Sequence, residues 1–302
     1  MTAMTEARGA DWPTVWGFTE RFVALPGLRM HVVEAGPPEG QPVIMLHGFP
    51  ETAYTWRKQM GPLAAAGFHV VAPDLRGYNL TEKQGPYDMR TVVADIVHLM
   101  DALGVQQACV AGHDWGANVA WRLNDWYSER VRRLAILNLP RPQIIYRLLL
   151  QGDLEQLLRS WYVYFFQLRG LPERLLSAND YRILRRLLKD IALPGAFSDH
   201  DLDIYADAWR QPGAFSAMIG YYRDEFGHKL RDRTVESLPP VHIPTLIIWG
   251  QRDAALAYKG AMMSAQTLAR GALAPFPQAS HFVHEEFPGA VNGLLLSFFS
   301  GA

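Results

Sequence analysis

The chain has one cysteine, Cys109, among 302 residues. One thiol cannot form an internal disulfide. Its setting in the apolar run Ala108-Cys109-Val110-Ala111 reads as a buried strand position rather than a reactive group. Charge of one sign is also missing. The 29 basic and 30 acidic residues leave a formal net charge of -1. No field of one sign attracts nucleic acid or an anionic membrane, so neither is expected as a partner. No apolar stretch is long enough to span a bilayer. Met1 to Trp16 carries acids and a proline but no apolar segment, and so does not read as a signal peptide. The expected location is the cytoplasm. Internal repeats and low-complexity segments are absent.

What is present is a large apolar fraction, 49%, enough for a substantial core. Short apolar runs alternate with helical patterns. Arg21 to Leu25 and Arg29 to Ala35 read as a hairpin around Pro26-Gly27. Val43 to Leu46, Val70 to Ala72, Ala108 to Ala111, Leu134 to Leu137 and Leu246 to Trp249 read as strands, several of them buried on both faces. Thr91 to Leu103 has helical spacing, with Gly104 just past its end. Strands alternating with helices predict a mostly parallel sheet covered on both faces.

The alternation stops between about Pro140 and Pro239. Leu154 to Gln167, Asp180 to Ile191, Asp199 to Trp209 and Gly213 to Arg223 read as helices there. The pattern predicts a core formed by residues 1–139 and 240–302, with 140–239 inserted as a helical lid. Strand character resumes at Leu246. Gly271 to Phe276 reads as the last strand and Ala290 to Phe299 as the last helix.

The most informative stretch is Gly112-His113-Asp114-Trp115-Gly116. It closes a strand and opens a helix at Ala117 to Trp126. Glycine two before and two after a central residue is the pattern of a nucleophile elbow, a tight turn where a flanking Cβ collides with backbone. The central residue is aspartate rather than serine, and no Gly-x-Ser-x-Gly occurs in the chain. A serine-type esterase is thereby excluded. A carboxylate needs no base to become a nucleophile. It is suited to attack on a saturated carbon, giving an alkyl ester that water must split. Read alone, Asp114 is more readily a helix N-cap.

Three further stretches favour chemistry. His281, in Ala279-Ser280-His281-Phe282-Val283, follows the last strand and is the candidate base for activating water. His284 competes for that assignment. Asp253, in Trp249-Gly250-Gln251-Arg252-Asp253, is placed to orient the histidine. The other customary position for the acid, after the preceding strand, holds Asn138, which carries no charge. His47-Gly48-Phe49-Pro50 follows an early strand, and the N–H groups of Phe49 and Trp115 are the candidate oxyanion hole. His281-x-x-His284-Glu285 matches no metal-site pattern.

With these residues in place, the chain resembles the epoxide hydrolases of the α/β-hydrolase fold. The matching stretches are His47 to Glu51, Asp74-Leu75-Arg76-Gly77-Tyr78, Gly112 to Gly116, Trp249 to Asp253 and Ser280 to Glu285. The resemblance in layout runs from about Arg21 to the end. It implies an eight-stranded, mostly parallel sheet with a helical lid, and neither cofactor nor metal. It further implies two lid tyrosines that hold the epoxide oxygen and protonate it. Ser160 to Gln167 and Gly220 to Arg223 resemble the two tyrosine segments, which selects Tyr162 and Tyr222, with Tyr164 and Tyr221 as substitutes.

The elbow alone also resembles that of haloalkane dehalogenases. In many of those an asparagine follows the His-Gly pair, whereas this chain has Phe49. Fluoroacetate dehalogenases carry arginines near the elbow, where this chain has Trp115 and Asn118. A more distant alternative is a non-catalytic small-ligand receptor, against which the complete Asp–His–Asp set counts. The reading from sequence is therefore an epoxide hydrolase taking small apolar aryl or alkyl epoxides and water, as a monomer or homodimer.

Overall fold

A computed structural model describes residues 12–232 and 237–301, without the side chains of 227–232. The strands are β1 (Thr19–Leu25), β2 (Leu28–Ala35), β3 (Gln41–Leu46), β4 (Phe68–Pro73), β5 (Ala108–His113), β6 (Val131–Leu137), β7 (Thr245–Gly250) and β8 (Gly271–Phe276). They form one eight-stranded sheet in the order β1-β2-β4-β3-β5-β6-β7-β8. The pairings β1–β2 and β2–β4 are antiparallel, and the rest are parallel. This is the architecture expected. The continuous apolar runs have their cause here: β5 and β7 are buried along their whole length, because helices cover both faces. Cys109 is buried in β5, and burial pushes its thiol up to about 11.

The helices preceding the insertion are α1 (Trp12–Val15), α2 (Arg57–Ala65), α3 (Met89–Ala102) and α4 (Trp115–Trp126). The inserted ones, between β6 and β7, are α5 (Pro142–Leu150), α6 (Leu154–Arg159), α7 (Trp161–Phe165), α8 (Leu171–Ile191), α9 (Asp199–Trp209) and α10 (Ala214–Asp232). The chain closes with α11 (Tyr258–Ala265), α12 (Val283–Glu286) and α13 (Pro288–Ser300). None of the helices, among the described residues, is long and apolar enough to cross a membrane.

Three differences from the sequence expectation have physical reasons. The helix expected over Leu154 to Gln167 is broken at Ser160, which adopts φ -91° and ψ 11° between α6 and α7. The helix expected from Asp180 is the second half of α8. That element kinks where Asn179, Asp180 and Tyr181 take positive φ. Helix α2, which the sequence reading did not include, has Pro62 inside it. Pro62 has no N–H to give the carbonyl four residues back. That carbonyl, of Lys58, instead accepts from the Asn292 side chain on α13 at 2.9 Å.

The insertion is tied to the sheet by a buried charge cluster. Ser198 and Asp201 form a reciprocal capping box that starts α9. The Asp201 carboxylate also accepts from Arg57 at 2.9 Å and from the Tyr54 hydroxyl at 2.7 Å. Arg57 is 2% exposed, and it donates to Glu285 as well. One guanidinium thus joins α2, α9 and α12.

Candidate active site

Asp114 sits at the turn from β5 into α4 with φ 48° and ψ -118°. Such backbone is unfavourable for a residue with a side chain and persists only where the surroundings impose it. A Cβ on Gly116 would come within 2.6 Å of the His47 carbonyl oxygen, so only glycine lets α4 sit this close to β3. Gly48 has a related reason. A Cβ there would lie 2.5 Å from Cβ of Asp114, and its absence brings the Phe49 N–H to 2.8 Å from Asp114 Oδ1. One of the two expected oxyanion donors therefore already points at the carboxylate. The second expected donor, the N–H of Trp115, belongs to the first residue of α4.

His281 lies between two carboxylates. Its Nδ1 is 2.7 Å from Asp253 Oδ2, and its Nε2 is 3.6 Å from Asp114 Oδ2. Burial opposes a charged imidazole. The Asp253 and Asp114 carboxylates outweigh it and hold His281 well above the ordinary imidazole value. Asp253 is 1% exposed, and burial pushes its carboxyl up. His281, Asn138 and a backbone N–H outweigh that and leave it below the usual value. Oδ1 accepts the N–H groups of Ala255 at 2.7 Å and Leu256 at 3.0 Å. The carboxylate can thus do little except face the histidine.

Two supporting groups escaped the sequence reading. Asn138, noted there only as a position without charge, donates to Asp253 Oδ2 at 2.7 Å and accepts the Gly250 N–H at 3.0 Å. Asn138 takes positive φ just after β6. The second is His113 with Glu51. His113 Nδ1 lies 2.7 Å from Glu51 Oε2, and Nε2 lies 2.9 Å from the His281 carbonyl oxygen. The segment carrying His281 is thereby braced from below.

His284 belongs to this buried layer, its Nε2 2.7 Å from Thr55 Oγ1. It does not line the cavity that contains Asp114 and His281. Glu51, His113 and His284 do bring potential metal-ligand atoms within 4.8 Å of one another. Those on Glu51 and His113 are engaged with each other and with the His281 carbonyl.

The tyrosines separate cleanly. Tyr162 and Tyr222 both line the cavity at Asp114, with ring centroids 5.8 Å apart. Burial first and Asp114 second hold both phenols above the ordinary value, and therefore protonated. Tyr221 points elsewhere and donates its hydroxyl to the Arg76 carbonyl at 2.8 Å. Tyr164 is 42% exposed.

The cavity has two limbs meeting at Asp114, Tyr162 and Tyr222. The larger, about 300 Å³, is walled by Trp161, Phe165, Leu184, Leu188 and Phe282 and reaches His281. The smaller, about 40 Å³, lies against Leu139, Ile145, Val163, Phe226 and Leu256.

The family model for the alpha/beta hydrolase fold matches residues 41–288. Epoxide hydrolase 1 of Caenorhabditis elegans is 34% identical over 305 residues, covering 98% of this chain and 74% of that protein. The chain belongs to the α/β-hydrolases, in their epoxide hydrolase group. The AB hydrolase superfamily protein YfhM of Bacillus subtilis is 36% identical over 282 residues, covering 92% of this chain and 96% of that one. Among solved structures of α/β-hydrolases, an epoxide hydrolase from Bacillus megaterium with an inhibitor superposes with a TM-score of 0.84 at 28% identity. It covers 93% of this chain and 100% of that one.

Proposed function

We propose that this α/β-hydrolase converts an epoxide and water to a vicinal diol through an alkyl ester on Asp114. The observation that carries the reading is the convergence of two protonated phenols, Tyr162 and Tyr222, on the cavity that holds the elbow carboxylate. A halide leaving group needs no proton, whereas an alkoxide does. In the first step an Asp114 oxygen bonds to a ring carbon, the ring C–O bond breaks, and the alkoxide takes a proton from the tyrosine pair. In the second step His281, oriented by Asp253, removes a proton from water as its oxygen adds to the Asp114 carbonyl carbon. The Phe49 and Trp115 N–H groups receive the oxyanion. The ester C–O bond then breaks, and the departing alkoxide takes the proton of the newly formed Asp114 carboxyl. The proton held by His281 returns to the tyrosinate through solvent, and the diol leaves.

The charge arrangement suits this order. Asp114 is one of the carboxylates that raise His281. Esterification removes its charge, so the imidazole is more readily neutral when a base is needed. Residues 140–239 act in this reading as a lid, and the apolar walls of the larger limb fit an aryl or alkyl substituent.

The test is a rapid-quench mass measurement with styrene oxide. Wild type is expected to release phenylethanediol. His281→Gln is expected to accumulate a protein adduct of the substrate's mass, and Asp114→Asn to show neither. Halide release from bromoalkanes without diol would instead make the chain a dehalogenase. Tight binding without turnover would make it a receptor.

A further inference from the structure

One polar side chain in the smaller limb has no part in the chemistry above. Asn118 lies one helical turn after Asp114 on α4, is 6% exposed, and lines the limb beside Asp114, Tyr162 and Tyr222. Its Oδ1 is buried without a hydrogen-bond partner. A buried acceptor left unpaired is unfavourable and marks a place where a donor is missing. Two other polar side chains in this wall are engaged. Tyr146 donates its hydroxyl to Glu225 at 2.8 Å, and Ser160 Oγ accepts from Gln156 at 2.9 Å.

Resting on the epoxide reading, we propose that Asn118 is a specificity residue. It receives a hydroxyl carried by the smaller substituent of the epoxide. The substrate class is then the 2,3-epoxy alcohols, with a bulky apolar group at one ring carbon and a hydroxymethyl group at the other. The limb's volume, about 40 Å³, has room for roughly three water-sized groups at ~10–15 Å³ each. The two heavy atoms of a hydroxymethyl group fit, whereas a phenyl ring does not. A carboxylate in this limb would meet the amide oxygen and the Asp114 charge, both repulsive. A hydroxyl donates and accepts, so it satisfies the carboxamide in either orientation of the amide.

The experiment uses a matched pair, trans-3-phenylglycidol and trans-β-methylstyrene oxide, which differ by one hydroxyl. The readout is the ratio of their kcat/KM values for diol formation. Wild type is expected to favour the alcohol by about tenfold or more, the effect of pairing one buried acceptor that is otherwise left unsatisfied. Asn118→Leu and Asn118→Ala are each expected to lose most of that ratio. A wild-type ratio near one, or a ratio that survives in both variants, overturns the proposal. Calorimetric binding of 3-phenylpropan-1-ol and butylbenzene gives a second readout without chemistry. If neither epoxide yields diol, the epoxide reading fails, and binding decides the subsite. Tighter binding of the alcohol by wild type alone supports it, and equal binding of the pair overturns it.

Discussion

The two sides of the cavity are built by different means. On the sheet side, Asp114, His281 and Asp253 stand at the ends of strands or in the loops after them. Each is held by backbone groups, by buried polar partners or by a turn that only glycine permits. On the insertion side, Tyr162 and Tyr222 are held by rings. Tyr222 meets Trp115 at 4.9 Å, Phe166 at 4.8 Å and Phe49 at 5.3 Å between centroids. Aromatic packing tolerates small shifts that a backbone hydrogen bond does not. The insertion also leaves Leu154, Leu158 and Trp161 at least 61% exposed, whereas β5 and β7 expose nothing. The Asp114–His281–Asp253 set, fixed by backbone and buried polar groups, thus faces a softer wall that can differ in shape without disturbing it.

That contrast can be broken from either side. The largest effect is expected for the double variant Tyr162→Phe/Tyr222→Phe, which removes the proton donors and should lower kcat for diol formation by about 10²–10⁴-fold. Thermal unfolding should change little, since the rings remain. A comparable loss of stability instead would return the tyrosines to a packing function.

Next is the tie between the two sides. Arg57→Met leaves the buried Asp201 without its cation and Glu285 with Lys58 alone, and is expected to cost about 3–5 kcal/mol in denaturant unfolding. A cost under about 1 kcal/mol would mean that these carboxylates rest on other partners.

A smaller effect concerns pH. In the proposed mechanism His281 acts as base only when neutral, and Asp253 is the leading cause that raises it. As pH falls through that raised value the imidazole is protonated and diol formation is lost. Asp253→Asn removes the raising charge, so the acid limb of the kcat profile should move to lower pH as kcat itself drops. A limb that stays in place would assign the titration to another group. The smallest effect is expected on the insertion's surface. Leu158→Gln, at a position 66% exposed, should alter unfolding by no more than about 0.5 kcal/mol.

Legibility in the sequence follows the range of the interactions. The elbow could be read because its constraint spans five residues, Gly112 to Gly116, and two glycines have a local steric cause. Strands β3, β5 and β7 could be read because burial on both faces writes an unbroken apolar run. Helix α5 was not anticipated, because Pro142 opens it and no side chain caps its N-terminus. Asn138 and His113 went unread because their partners, Asp253 and the His281 carbonyl, lie 115 and 168 residues away. No local pattern encodes such a pairing.

The sequence by itself determined the sheet, the elbow with its aspartate, and the order of the candidate nucleophile, acid and histidine. Each follows from periodicity or from sterics within a few residues. It also narrowed the tyrosines to four. Only the tertiary structure separated their surroundings, because where a hydroxyl finds its partner is set by distant residues. Tyr221 spends its hydroxyl on the Arg76 carbonyl and Tyr164 faces solvent, while Tyr162 and Tyr222 meet over Asp114. The same holds for Asn118, whose unpaired oxygen becomes visible only once every neighbour's partner is known.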